Sequence, residues 1–297
     1  MRKENEIYIT FPDYYFSFVY EILSFESSMP AEINGREGAF RMYTLKKRLR
    51  AGDLLVGTMI SEVRNPNVAY MLAQSGFDFF IIDNEHGAYS PETISDMIAA
   101  ARGAGIAPIV RIPEIRRESI LKPLDSGAAG LLVPQVNTAE QAKEIMFHAK
   151  YPPAGNRGAA LRRAHSLYRK VTPGDYLKEA NEETLIAIQA ETPAAIERLE
   201  EIVSIPGVDA IFVGPFDLSV SLGIPGEINN PREVEAIDRV VEVCRKRNVI
   251  SGIHMFDLQA LKIWVEKGMR FVTYSSDVSL LADAAASGVA ELKSLKK

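Results

Sequence analysis

Leu185-Ile-Ala-Ile-Gln-Ala-Glu191 is the stretch of sequence that decides the fold of this chain, and Ala210-Ile-Phe-Val-Gly-Pro-Phe-Asp217 repeats its pattern. Both are short apolar runs that contain β-branched residues, and a helical pattern follows each of them. Such runs are typical of strands in a parallel sheet covered on both faces. Because the carboxyl ends of parallel strands meet at one edge of the sheet, we expect Glu191 and Asp217 to lie close together.

Eight runs of this kind alternate with helical patterns along the chain. The predicted strands cover residues 54–60, 78–83, 107–112, 130–134, 185–191, 210–214, 249–254 and 271–275, and helical patterns cover 45–50, 67–74, 91–102, 139–148, 193–204, 231–246, 258–267 and 278–295. This alternation predicts an α/β fold, a (β/α)₈ TIM barrel. A doubly wound open sheet is the main alternative, but it favours fewer strands and a glycine-rich first turn, and no G-x-G-x-x-G motif follows any of these strands.

The first 41 residues differ from the rest, because tyrosine and phenylalanine cluster there without a sustained period. We divide the chain into an N-terminal extension of unknown role, residues 1–41, and a catalytic barrel, residues 42–297. The extension could be an arm that packs on the barrel or on a neighbouring molecule. Alternatively, Met42 is the natural start, since Gly35-Arg-Glu-Gly38 is what a purine-rich ribosome-binding sequence would encode if translated in frame.

Composition excludes several classes of protein. The 297 residues are 47% hydrophobic and 25% charged, which suits one large α/β domain. The formal net charge of −5, without a stripe of Lys and Arg, argues against a nucleic-acid partner. The single cysteine, Cys244, allows neither a disulfide nor a thiolate metal site within one chain and fits a reducing cytoplasm. No run approaches the roughly 20 apolar residues that a membrane span needs.

Polar and ionisable residues collect where the predicted strands end. They are Asp83, Glu85, His86, Arg111, Gln135, Gln189, Glu191, Asp217 and His254. Desolvating so many groups costs a few kcal/mol for each one, so a catalytic site explains the collection better than a structural role. Two carboxylates at one place repel each other unless a cation or a proton lies between them, and a divalent metal ion satisfies Glu191 and Asp217 together. The structural alternative is that each of the two caps the helix that follows it.

Five segments, taken in order, resemble the HpcH/HpaI aldolase family, the class II pyruvate aldolases of the phosphoenolpyruvate/pyruvate barrel superfamily. They are Phe79-Phe-Ile-Ile-Asp-Asn-Glu-His-Gly87, Pro108-Ile-Val-Arg-Ile112, Tyr151-Pro-Pro-Ala-Gly-Asn-Arg-Gly158, Ile188-Gln-Ala-Glu-Thr192 and Gly214-Pro-Phe-Asp-Leu-Ser219. The resemblance runs from about residue 45 to the end. It implies a (β/α)₈ barrel, a hexamer built as a trimer of dimers with exchanged C-terminal helices, and a Mg²⁺, Mn²⁺ or Co²⁺ ion that binds pyruvate and its enolate.

The resemblance also implies roles for single residues. Glu191 and Asp217 match the two metal ligands of the family. Arg111 matches the arginine that faces the keto oxygen, although it could instead be a buried salt-bridge partner of Asp83 or Glu85. His86 with Asp83 resembles the acid–base pair of the family, in which a carboxylate fixes the imidazole tautomer.

Further residues are expected around the substrate: Gln189, Gly214, Pro215 and Phe216, with Asp125 reaching across a subunit interface. Two positions depart from the family. Phe216 stands where many members have alanine and could narrow the pocket or turn outward. His254 stands where relatives have an apolar or small residue, and could contact the acceptor aldehyde, transfer a proton or cap the next helix.

We therefore expect a divalent-metal-dependent aldolase that cleaves 4-hydroxy-2-oxo acids, or 2-keto-3-deoxy sugar acids, to pyruvate and an aldehyde. No lysine is needed, which separates it from Schiff-base aldolases. An oxaloacetate decarboxylase, or a carbon–carbon bond-forming enzyme resembling macrophomate synthase, would use the same enolate. A barrel that senses a 2-oxo acid or a metal without turnover is a third alternative, although binding alone does not require an acid–base pair.

Overall fold

Eight parallel strands close into a barrel, because β1 pairs with β8 as well as with β2. The computed structural model describes residues 44–295. Its strands are β1 Leu55–Ile60, β2 Phe79–Asp83, β3 Ala107–Arg111, β4 Gly130–Val133, β5 Leu185–Ala190, β6 Ala210–Val213, β7 Ile250–Met255 and β8 Phe271–Ser276. The predicted (β/α)₈ barrel is confirmed, and no strand boundary differs from its predicted position by more than one residue. The proposals for residues 1–41 and for Met42 as the start lie outside the described residues.

Helices cover the barrel and connect its strands. In residues 44–295 they are α1 Leu45–Arg50, α2 Val68–Gln74, α3 Pro91–Ala104, α4 Arg117–Ser126, α5 Ala139–Ala149, α6 Pro173–Glu183, α7 Pro193–Glu197, α8 Leu199–Val203, α9 Pro215–Ser221, α10 Pro231–Arg247, α11 Leu258–Glu266 and α12 Asp277–Ser294. No helix within this range is long and apolar enough to cross a bilayer.

Three of these helices, α4, α6 and α9, are not among the predicted helical patterns, and α9 spans only seven residues. Pro123 lies inside α4, and an internal proline ordinarily interrupts a helical pattern. The α6 helix has a single buried residue, Ala180, and therefore lacks a continuous apolar stripe. The stretch expected as one helix over 193–204 is two short helices, because Arg198 leaves the helical conformation.

Aromatic side chains fill the interior of the barrel. Phe79 stacks on Phe271 with ring centroids 4.7 Å apart, and Phe212 meets Phe271 edge to face at 5.3 Å. Gly252 leaves room for this packing, since a Cβ there would lie 2.1 Å from the Phe271 carbonyl oxygen. The interior is therefore a packed core rather than a pore, and open space is left at the carboxyl ends of the strands.

Candidate active site

Consecutive strands of the barrel deliver the predicted site residues to one end. Asp83 ends β2 and lies in register with Arg111, which ends β3. Glu191 follows directly after β5, and Asp217 lies in the first turn of α9, just after β6. His254 lies on β7. The barrel thus brings together residues that are up to 171 positions apart in the chain.

A cavity of about 700 Å³ opens at this end of the barrel. Its walls combine polar groups with apolar surface from the loops after β6 and β7. It is lined by Met59, Ser61, Asp83, His86, Arg111, Leu132, Gln189, Phe212, Gly214, Pro215, Phe216, Asp217, Gly226, Ile228, His254, Met255, Phe256, Asp257 and Ser276. A cavity of this size and composition suits a small organic ligand.

Arg111 is the cation at the centre of the polar wall. Its Nε and Nη2 donate to the two carboxylate oxygens of Asp83 at 2.8 and 2.7 Å, and its Nη1 lies 3.1 Å from Glu85 Oε2. Burial alone would raise the pKa of Asp83, but the hydrogen bond and positive charge of Arg111 outweigh burial and lower it. The salt bridge that the sequence analysis kept as an alternative for Arg111 is therefore present, within the wall of the cavity.

Glu191 is buried, and both of its carboxylate oxygens accept hydrogen bonds. Oε1 accepts from the backbone N–H of Gln135 at 2.7 Å, and Oε2 accepts from the side-chain amide of Gln189. Burial raises the pKa of Glu191 to about 7; the Gln135 N–H opposes this rise, and the negative charges of Glu85 and Asp217 add to it. The backbone of Gln135 has φ 56°, an uncommon conformation outside glycine that is often found at functional sites.

Gly214 leaves space for the side chains of Gln189 and Glu191. A Cβ at Gly214 would lie 2.8 Å from Gln189 Nε2 and 3.2 Å from Glu191 Oε2. Gln189 Oε1 is buried and has no hydrogen-bond partner among the described residues. The site thus holds a buried acceptor oxygen next to Glu191 that is left unsatisfied.

Four carboxylates lie in this region: the charges of Asp83, Glu85 and Glu191 act on Arg111, and the charge of Asp217 acts on Glu85 and Glu191. The local charge is negative, and oxygen ligands of this type suit a hard divalent cation. No group of three or more His, Cys, Asp or Glu side chains in residues 44–295 is arranged to hold a metal ion. A metal here would therefore depend on two carboxylates and leave other coordination positions to water or substrate.

The expected pairing of Asp83 with the imidazole of His86 is wrong in its geometry. Asp83 Oδ1 accepts from the backbone N–H of His86 at 3.3 Å, while its carboxylate faces Arg111. The imidazole Nε2 lies 4.0 Å from Glu85 Oε2, and the His86 side chain is 65% exposed. His86 lines the cavity, and Glu85 rather than Asp83 is the carboxylate beside its ring.

Asp125 lies outside the large cavity of its own chain. It sits near the end of α4, where it accepts from Arg157 Nη2 at 2.7 Å, and it lines a separate cavity of about 540 Å³. Phe216 lines the large cavity with its ring 63% exposed.

Three contributions to the site, from Glu85, Gln135 and Thr273, were not foreseen from the sequence. Glu85 was considered only as a partner of Arg111, and Gln135 only as a strand-end residue. The backbone N–H of Gln135 supports Glu191, and Thr273 of β8 accepts or donates a hydrogen bond at His254 Nδ1 over 2.8 Å. A backbone donor has no signature in sequence, whereas the pairing of β7 with β8 follows from strand register.

Known proteins resemble this chain in sequence and in structure. The sequence model of the family described as HpcH/HpaI aldolase/citrate lyase matches residues 58–284. A hydroxypyruvate/pyruvate aldolase from Roseovarius nubinhibens is 34% identical over 242 residues, which cover 82% of this chain and 93% of that protein. A 2-keto-3-deoxy-L-rhamnonate aldolase from Salmonella gallinarum is 33% identical over 258 residues, covering 84% and 93%. The crystal structure of an HpcH/HpaI aldolase from Desulfitobacterium hafniense DCB-2 superposes with a TM-score of 0.81 at 36% identity, covering 84% of this chain and 96% of that one.

Proposed function

This chain belongs to the HpcH/HpaI aldolase/citrate lyase family and is a pyruvate aldolase, a carbon–carbon lyase, and from that premise we propose a substrate class and a metal. The substrates are 4-hydroxy-2-oxo acids or 2-keto-3-deoxy sugar acids, which the enzyme cleaves to pyruvate and an aldehyde. The observation that carries the proposal is a set of four neighbouring carboxylates, three of which act on Arg111, beside a cavity of about 700 Å³. Such a cluster suits a divalent cation and a small anionic substrate.

Glu191 and Asp217 would hold Mg²⁺, Mn²⁺ or Co²⁺. Their carboxylate oxygens are ligands that such ions accept, and the unsatisfied Gln189 Oε1 adds a further oxygen beside Glu191. When bound, the ion would supply Lewis acidity toward the carboxylate and keto oxygens of a 2-oxo acid. Gln189, Gly214, Pro215 and Phe216 form the wall around that position and would contact the substrate.

Arg111 would stabilise the negative charge that develops on the keto oxygen during cleavage. Its guanidinium is buried, and the double hydrogen bond to Asp83 holds it in one orientation. A fixed charge in a desolvated wall stabilises an oxyanion without reorganising first. We therefore assign Asp83 to positioning Arg111. Asp83 also accepts a hydrogen bond from the backbone N–H of His86.

His86 would act as the base that starts cleavage. Its imidazole removes the proton of the C4 hydroxyl, the C3–C4 bond breaks, and the bonding electrons move to the keto group as the enolate. The aldehyde leaves, and C3 then takes up a proton to give pyruvate. Glu85, 4.0 Å from the ring, is placed to stabilise the protonated imidazole.

Oxaloacetate decarboxylation is a second candidate reaction, and the geometry of His86 supports it. The residues that stabilise an enolate are held by several hydrogen bonds, whereas the His86 ring is exposed and bonded to neither Asp83 nor Glu85. Decarboxylation forms the same enolate without removing a hydroxyl proton. The hydrogen-bonded part of the site, which contains Arg111 and Glu191, is thus sufficient for decarboxylation.

We further propose a hexamer in which C-terminal helices are exchanged between subunits. In α12 the described side chains after Asp277 are largely exposed, including Leu281 at 70% and Leu292 at 69%. A second copy of the chain would cover this apolar surface. Asp125, which lies outside the cavity of its own chain, would then be available to a neighbouring site. The buried, unpaired Cys244 supports a reducing, cytoplasmic setting.

The test is a metal-dependence assay with two kinds of substrate. The protein is treated with EDTA, and pyruvate release from a 4-hydroxy-2-oxo acid and from oxaloacetate is measured before and after adding Mg²⁺, Mn²⁺ or Co²⁺. We expect cleavage of the hydroxy acid only with metal. Release of pyruvate that is unaffected by EDTA and by added metal would overturn the metal assignment, and no release from any hydroxy acid would overturn the substrate class.

Asp217→Ala links that activity to the proposed ligands. Calorimetric titration should show weaker metal binding by the variant, and turnover should be abolished while thermal unfolding stays close to wild type. Asp238→Ala is the matched control, because Asp238 pairs with Lys267 on the surface, away from the cavity. Unchanged metal affinity in Asp217→Ala would remove Asp217 from the metal site.

A further inference from the structure

His254 lies on β7 and lines the large cavity, where the charges of Arg111 and Asp83 reach it. It pairs in register with Thr273 of the next strand, and its Nδ1 lies 2.8 Å from Thr273 Oγ1. Thr273 is fully buried. The imidazole also packs edge to face on Phe256, with ring centroids 4.7 Å apart. The ring is therefore held in one orientation by a hydrogen bond on one side and an aromatic contact on the other.

The other ring nitrogen is available to a ligand. His254 lines the cavity of about 700 Å³, and within residues 44–295 its Nε2 has no hydrogen-bond partner and is not among the buried unsatisfied atoms. Nε2 is thus an oriented hydrogen-bonding group on the same cavity wall as Arg111 and Asp217. The proposed cleavage mechanism does not use it.

The imidazole is uncharged in the neutral pH range. Burial, and to a smaller extent the positive charge of Arg111, lower the pKa of His254 to about 4, while Asp83 acts in the opposite direction. A neutral imidazole has one N–H and one lone pair. Since Nδ1 is engaged with the Thr273 hydroxyl, Nε2 offers one uncharged hydrogen bond and no countercharge for a carboxylate.

The charges around the cavity also favour an uncharged ligand group over a carboxylate. Among the described residues that line it, Arg111 is the only lysine or arginine, and its charge is already matched by Asp83 and Glu85. Asp257, the lining acid that neither faces Arg111 nor is a proposed metal ligand, would repel a second negative group. Phe216, Ile228 and Phe256 contribute apolar surface to the same cavity.

We propose that His254 determines specificity for the acceptor aldehyde by a hydrogen bond to an uncharged oxygen of that aldehyde. The enzyme then favours hydroxylated aldehydes over apolar aldehydes of the same length, and disfavours aldehydes that end in a carboxylate. Thr273 is a positioning residue that holds the ring. This inference rests on the proposed aldolase function and narrows it to an acceptor class.

The experiment measures condensation of pyruvate with matched aldehydes, using the metal-loaded protein. Glycolaldehyde is compared with acetaldehyde, lactaldehyde with propanal, and succinic semialdehyde supplies the anionic case. Wild type should favour each hydroxylated aldehyde in kcat/KM by about tenfold over its apolar partner, as expected for one neutral hydrogen bond. A preference for succinic semialdehyde would overturn the argument from charge.

Variants test whether His254 carries this preference. His254→Leu should lose the tenfold preference by reacting more slowly with the hydroxylated aldehydes while keeping its rate with acetaldehyde and propanal. His254→Gln, which retains an uncharged donor and acceptor, should keep part of the preference, and Thr273→Val should give an intermediate loss. His254→Ala provides a second deletion of the ring should the leucine variant prove unstable. A preference that survives in His254→Leu or His254→Ala, or an equal loss with every aldehyde, would overturn the proposal.

Oxaloacetate decarboxylation, assayed on the same preparations, separates this inference from the proposed function. It has no acceptor aldehyde, so all His254 and Thr273 variants should decarboxylate at the wild-type rate. If wild type neither decarboxylates oxaloacetate nor condenses pyruvate with any aldehyde, the proposed function fails. If those reactions proceed and the aldehyde preference does not depend on His254, the function stands and the inference alone fails.

Discussion

Arg111 has two roles in this site, one toward the substrate cavity and one in a buried ion pair. The same guanidinium that faces the cavity also closes a buried ion pair with Asp83 and contacts Glu85. Buried ion pairs often contribute little net stability, because the desolvation penalty offsets the attraction. The pair is better explained as the means by which Arg111 keeps one orientation toward the substrate.

Arg111→Lys tests this explanation. Lysine keeps the positive charge but cannot form the two parallel hydrogen bonds to Asp83, so we expect turnover to fall by about 10²-fold or more. Steady-state kinetics with oxaloacetate and with a hydroxy acid measure the loss, and thermal unfolding is followed in parallel. Near-normal kinetics combined with a lower melting temperature would show that Arg111 is only a structural salt-bridge residue.

His86→Ala tests the separation between enolate stabilisation and proton transfer. Retro-aldol cleavage should fall by about 10²–10⁴-fold, the usual contribution of a general base, while oxaloacetate decarboxylation stays close to wild type. Both assays use one preparation and one metal. Equal losses in the two reactions would mean that His86 orders the metal site or the fold, and its assignment as the base would have to be dropped.

At the scale of an element, helix α10 contains a buried charge that serves no purpose in the site. Glu233 lies in its first turn with the side chain fully buried, and both carboxylate oxygens lack a hydrogen-bond partner among the described residues. Burial raises the pKa of Glu233 to about 7. The helix N-terminus favours a negative charge, but this effect is smaller than the cost of burying a carboxylate without a partner.

Glu233→Gln should therefore stabilise the protein in a pH-dependent way. Because the native pKa lies above the ordinary value of 4.5, the contribution of Glu233 to stability is present below pH 4.5 and is lost as pH rises through 7. The variant should match wild type near pH 5 and exceed it by about 1–3 kcal/mol at pH 8. Thermal unfolding at both pH values measures this, with the exposed Glu235→Gln as control. A stabilisation of equal size at pH 5 and pH 8 would contradict the assignment.

At the scale of the whole molecule, two surfaces of residues 44–295 are open to other molecules. One is the cavity at the carboxyl ends of the strands. The other is the apolar surface of α12, where Val289 is 49% exposed in addition to Leu281 and Leu292. Exposed apolar residues grouped along a helix ordinarily mark a site of association.

The hexamer proposal predicts the response to charge on this surface. Leu281→Glu combined with Leu292→Glu should shift the mass measured by light scattering from a hexamer to smaller species, because burying two carboxylates at an interface is unfavourable. Met71→Glu on α2 is the control, since Met71 is also exposed, at 67%. An unchanged hexamer in the double variant would exclude α12 from the interface.

The alternation of short β-branched runs with helical patterns was enough to predict the barrel and its strand boundaries. Hydrophobic periodicity is a local property, and the order of strands in a barrel follows directly from their order in the chain. The same reasoning placed Asp83, Arg111, Glu191 and Asp217 at strand ends. It missed α4, because Pro123 hides the helical pattern, and α6, because little of that helix is buried.

Only the tertiary structure decided which of these groups contact one another. The sequence paired Asp83 with the ring of His86, whereas register between β2 and β3 directs its carboxylate to Arg111. The support of Glu191 by the Gln135 backbone and the bond between His254 and Thr273 likewise depend on neighbouring strands. Side-chain direction, burial and backbone donors arise from packing between segments distant in the chain, and a linear pattern does not contain them.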